Sequence, residues 1–196
     1  MPPQRERGTG MTPVDLLEPW QRAYPDVPPV GFLCRRALPE RWVRAHSLAD
    51  AQRYPETPQQ LAQALQRYNA TAAHVLGEDR DCLLFVARFG ADTRLRDDEA
   101  AQLRAARPVH VLGHGRGDDA IQVFAAPVRW RSGAFDPLLA GIAEEGTGST
   151  LFFDPAGGGA FAPYDGGADH FLASPEQAAR MKTRFAAWLS SRPDGL

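Results

Sequence analysis

The sequence predicts an α+β fold: one domain in which a mostly antiparallel sheet carries packed helices and is closed by a C-terminal helix. Three observations carry that expectation. Two capping boxes, Thr57-Pro58-Gln59-Gln60 and Ser174-Pro175-Glu176-Gln177, each open a stretch with apolar residues at helical spacing. Apolar runs at 82–87, 120–130, 150–154 and 159–162 are set off by turn-forming residues. These runs and helical stretches interleave without strict alternation, which argues against a parallel βαβ sheet.

Taken in order, residues 1–11 are expected to be a disordered tail, and 12–196 a single α+β domain. Translation starts at Met1 or Met11. From Thr12 to Tyr24 a short helix is expected, with Thr12 at the N-cap, Pro13 at N1 and Leu16, Leu17 and Trp20 on one face. Pro19 lies inside it and should kink or end it. After the connection Pro25–Pro29, Gly31–Ala37 reads as either a helical turn or an edge strand. Arg41–His46 reads as a strand, placing Arg44 and His46 two residues apart on one face.

The Thr57 box opens a helix over about 58–76, closed by Gly77 in the C′ position. Cys82–Ala87 is almost continuously apolar, the mark of a central strand. Asp97–Arg107 reads as a helix with acids first and arginines last. Val109–Leu112 reads as a short strand and Gly113–Asp119 as a loop. Ala120–Trp130 is a strand that Pro127 must bend, bulge or place at an edge. A short helix follows over Asp136–Glu145, with Asp136 as cap. Two paired strands flank the turn Pro155–Gly158, and Ala178, Met181, Phe185, Trp188 and Leu189 form the stripe of the last helix.

Composition narrows the functional classes. Of the 196 residues, 43% are hydrophobic and 23% charged, ordinary values for a packed globular chain. A formal net charge of -2 gives no electrostatic case for nucleic acid. No run approaches the roughly 18 apolar residues of a membrane span, and residues 1–10 lack a secretory apolar core. The expected location is cytoplasmic, with no nucleic-acid or membrane partner. Cys34 and Cys82 sit singly in apolar contexts and read as buried thiols.

The candidate site is the stretch Phe161–Leu172, where Tyr164, Asp165, Asp169 and His170 lie together around an Asp-Gly-Gly turn. Asp165, Asp169 and His170 offer ligands for a divalent metal, or Asp165 and His170 an acid–base pair. Two features work against a shared site. Asp-Gly-Gly is a tight-turn signal in which Asp165 would bond nearby backbone amides, and extended geometry sends Asp169 and His170 to opposite faces. Arg44 and His46 join the candidates as a polar face facing the hairpin. The segment Gly113-His114-Gly115-Arg116-Gly117 lacks both the GxGxxG spacing and a Walker lysine, and reads as a surface loop. Neither the five histidines nor the serines show a metalloprotease or nucleophile-elbow spacing.

With these blocks in view, the chain resembles a bacterial family classed only as a domain of unknown function. That family carries an early Leu-Arg-Phe-Glu-Leu-type strand, a helix, an apolar strand and a terminal Tyr-Asp-Asp-Arg-Gly-x-Asp block followed by a helix. Here Trp42–His46, Cys82–Ala87 and Tyr164-Asp165-Gly166-Gly167-Ala168-Asp169 stand at those positions. Gly166 and Gly167 replace the second Asp and the Arg, and the Glu of the first block is absent. The resemblance covers roughly 40–190, implies no activity, and points to Tyr164, Asp165 and Asp169 as recurrent residues.

The sequence therefore favours a non-catalytic protein-binding module, similar to the small α+β immunity proteins that neutralise bacterial toxins. It calls for no cofactor, and a divalent metal belongs to the second reading. That reading is a metal-dependent hydrolase using Asp165, Asp169 and His170 with His46. A third, a structural or oligomeric role, would bury Trp130 or Trp188 in a dimer.

Overall fold

In a computed structural model, which describes residues 13–90, 97, 101, 109–114, 120–145, 149–190, 192 and 195, seven strands build one sheet. They are β1 (Trp42–His46), β2 (Arg80–Phe89), β3 (Val109–His114), β4 (Ile121–Trp130), β5 (Ser149–Phe153), β6 (Ala160–Tyr164) and β7 (Gly167–Phe171). Their spatial order is β1-β7-β6-β5-β2-β4-β3 and every pairing is antiparallel. Five α-helices accompany them among the described residues: α1 (Pro13–Ala23), α2 (Gly31–Ala37), α3 (Pro58–Leu76), α4 (Asp136–Glu145) and α5 (Pro175–Arg184). The α+β class and the closing C-terminal helix are as the sequence predicts.

Helices cover both faces of the sheet. On one face α1 and α2 lay Leu16, Trp20 and Cys34 against Phe85, Leu151, Phe153 and Phe171. On the other, α3 and α4 pack Tyr68, Ala72, Leu139 and Ile142 against Leu84, Val86, Phe152 and Phe161. This double cover explains why Cys82–Ala87 is buried at every position although its strand is antiparallel. α5 closes the β1 end of the second face, burying Ala178 and Met181 with Val43 and Leu172. No helix among the described residues is long and apolar enough to cross a membrane.

Local chemistry accounts for the boundaries. The Thr57 hydroxyl accepts from the Gln60 amide at 3.2 Å, and Ser174 accepts from Gln177 at 3.3 Å, so both capping boxes form. Gly77 ends α3 with φ +81°, a conformation that favours glycine. Pro127 lies beyond the reach of β3, which pairs only with residues 121–125 of β4, so its missing N–H breaks no ladder on that side. Pro19 does not end α1, which runs on to Ala23. Leu16, Leu17 and Trp20 are all buried on its inner face, and that burial outweighs one lost backbone bond. Gly31–Ala37 is a helix rather than an edge strand.

Both cysteines are free and buried. Trp130 is fully buried inside the chain's own core, stacked on Phe135, which removes it as a dimer contact. The expected tail over 1–11, most of the expected helix over 97–107, and 115–119 of the expected loop lie outside the described residues.

Candidate functional site

The site begins with the hairpin β6–β7. Asp165 and Gly166 form its two-residue loop, since Tyr164 pairs with Gly167. At Gly167 an added Cβ would stand 2.2 Å from the carbonyl oxygen of Ala45, so a glycine is what lets β1 close on the turn. The Ser47 amide then donates to Gly166 O at 3.1 Å, and Tyr68 of α3 donates its hydroxyl to Tyr164 O at 2.6 Å. β1 is thereby held in register with Arg44 opposite Asp169.

That register builds a buried ion pair. Arg44 donates from Nε to Asp169 Oδ1 at 2.8 Å and from Nη2 to Oδ2 at 3.0 Å, a bidentate fork. Trp42 Nε1–H donates to the same Oδ1 at 2.8 Å. The Arg44 guanidinium also lies over the Tyr164 ring, 4.7 Å from its centroid, and 5.4 Å from that of Trp42. Burial opposes the charge on Arg44, yet the Asp169 carboxylate more than offsets it and holds the guanidinium above its usual pKa. Burial likewise raises the Tyr164 hydroxyl, with Arg44 pulling the other way.

α2 roofs this cluster. Gly31 packs where its Cβ would meet Ala162 Cβ at 3.1 Å, so a small residue on each side lets the helix lie close over β6. The result is a cavity of about 190 Å³ lined by Gly31, Phe32, Arg35, Arg44, Tyr164 and Asp169, with Ser149 at its side. On the outer surface of α2, Phe32 is 38% exposed and its ring lies 5.9 Å from that of Phe89, itself 44% exposed. Arg36 stacks its guanidinium over Phe32 at 5.6 Å. Phe32, Arg35 and Arg36 share one helical face by their i, i+3, i+4 spacing.

The structure thus brings Arg44, Tyr164 and Asp169 into one pocket and places the other candidates elsewhere. Asp165 sits at the turn, where it is ion-paired with Arg53 rather than bonded to backbone amides. The amide-binding aspartate is Asp154, which accepts from Ala156 and Gly157 at 2.9 Å each. His170 points to the opposite face of the sheet and is fully buried, its Nδ1 3.1 Å from Val43 O. Burial pushes its pKa down to about 4, the Val43 bond opposing this. The ring is therefore neutral at pH 7, with Nδ1–H donating to Val43 O, and Nε2 has no hydrogen-bond partner among the described residues.

His46 shares the β1 side of Arg44 but, at the strand's end, opens on a second cavity of about 590 Å³ with Leu48, Asp50, Arg67 and Trp188. Its pKa is lowered, by burial first and then by Arg44. Among the described residues no three His, Cys, Asp or Glu side chains gather closely enough to hold a metal ion.

A family profile described as a domain of unknown function, DUF3885, matches residues 30–193. The chain belongs to the DUF3885 family. The match spans α2 through the C-terminal segment, so the pocket and its roof lie inside the DUF3885 unit. No curated protein and no solved structure matches the chain.

Sequence reasoning overlooked Phe32, Arg35 and Arg36. The signal was present in their helical spacing, but a seven-residue segment between prolines gave no periodicity long enough to establish a helix.

Proposed function

We propose that this DUF3885 chain is a non-catalytic protein-binding module, similar in mode to immunity proteins, and that it binds through the outer face of α2 and the adjoining end of β2. One observation carries the reading: two exposed phenylalanines adjoin Arg35 and Arg36, and neither arginine has a carboxylate partner among the described residues. Single exposed apolar side chains are ordinary on protein surfaces. Aromatic side chains and arginine are the residue types enriched at protein interfaces over the rest of the surface. The patch is locally cationic on a chain of net charge -2, which selects an acidic partner and speeds its approach.

The hairpin carboxylates favour the same reading. Asp169 accepts from Arg44 and Trp42, and Asp165 is ion-paired with Arg53, so each already has a cationic partner competing with any role as general base or metal ligand.

The test is affinity capture from host lysate with the wild type and with Phe32→Ser/Phe89→Ser, both shown by melting to be equally folded. The wild type captures a specific protein that the variant loses. Equal capture by both, or capture by neither, contradicts the reading.

A further inference from the structure

The pocket beneath α2 holds one more positive charge than its own residues balance. Arg44 and Asp169 neutralise each other through a bidentate fork. Arg35 adds a second guanidinium to the wall, 6.0 Å from the Trp42 ring, without a carboxylate partner among the described residues. Nη1 of Arg44 and the Tyr164 hydroxyl make no hydrogen bond among the described residues, and strand alternation sets Ser149 on the same face of β5 as Leu151. The donors are therefore two guanidinium groups and two hydroxyls around one cavity.

Size limits the occupant. At about 190 Å³ the cavity is below the roughly 300–1,000 Å³ of ordinary cofactor and small-molecule sites. It suits a small anionic group carried in on something larger. We propose that this pocket receives the side-chain carboxylate of an acidic residue projecting from the partner protein, while Phe32 and Phe89 pack against the partner's surface beside it. The proposal rests on the protein-binding reading and gives that reading its anchor. Charge-assisted bonds from Arg35 and Arg44 hold the carboxylate, and Tyr164 and Ser149 satisfy its remaining lone pairs.

The experiment is an NMR titration of the ¹⁵N-labelled full chain with the peptides Ac-Gly-Glu-Gly-NH₂ and Ac-Gly-Gln-Gly-NH₂ and with inorganic phosphate. The glutamate peptide should shift the Arg44 Nε–H signal and the amides of residues 31–35 saturably, and the glutamine peptide should not. Arg35→Gln, which removes no ion pair among the described residues, should weaken the glutamate peptide by roughly tenfold, as losing one charge-assisted bond does. Tyr164→Phe should weaken it by less.

Equal shifts from both peptides, shifts confined to other surfaces, undiminished affinity in Arg35→Gln, or binding of phosphate alone each overturns the proposal. Its failure is separable from that of the protein-binding reading. A partner lost by Phe32→Ser/Phe89→Ser with no peptide response sinks only the pocket. A peptide response with partner capture unchanged in that variant sinks the binding face.

Discussion

Asp169 accepts three hydrogen bonds, two from Arg44 and one from Trp42, in a place almost sealed from solvent. Removing one partner of a buried pair leaves the other charge desolvated, which costs about 3 kcal/mol or more. Asp169→Asn should accordingly lower stability by about 3 kcal/mol in urea melting. Asp165→Asn should lose much less, because Arg53 is largely in water and its charge remains solvated.

His170 supplies a second prediction at this scale. Its folded pKa is pushed down to about 4 by burial, against about 6.5 unfolded, with Val43 O and Asp169 favouring the proton and His74 opposing it. The unfolded chain thus binds the proton more readily between those values. The stabilisation is complete above pH 6.5 and is lost as pH falls towards 4, a drop of about 3 kcal/mol. His170→Leu should flatten that part of the stability–pH curve; an unchanged slope would show that other groups set it.

Among the elements, β1 is the most exposed to a single backbone change. Gly167 faces Ala45 O with no room for a methyl, so Gly167→Ala must push β1 off β7 or distort the turn. A loss of about 3 kcal/mol is expected, at the upper end for overpacking. Amide exchange of 43–46 should accelerate ahead of the rest of the sheet; uniform acceleration would contradict the local origin.

The same elements show what was legible beforehand. Thr57 and Ser174 announce their helices because a cap acts over three residues of chain. Alternation alone separates Asp169 from His170. Arg44 and Asp169 meet across 125 residues, and only the β1–β7 register brings them together, which no local pattern encodes. Asp165 finding Arg53 rather than backbone amides was hidden for the same reason. Pro19 misleads in the opposite direction, since tertiary burial of Trp20 overrides a local helix-breaking rule.

For the whole molecule, a sheet covered on both faces leaves few places for an accessible site, and the pocket roofed by α2 is one of them. Its exposed surface mixes Phe32 and Phe89 with Arg35 and Arg36, while the rest of the chain carries a slight negative excess. Phe32→Ser/Phe89→Ser removes apolar surface that the fold does not bury, so its melting temperature should stay within a few degrees of wild type.

The most direct measurement is hydrogen exchange of the wild-type chain, free and in complex with the protein it captures. Added protection is expected over 31–37 and 86–89, with little change in the Asp165–Gly166 loop or in α5. Protection centred on that loop or on α5, with α2 unchanged, would contradict it.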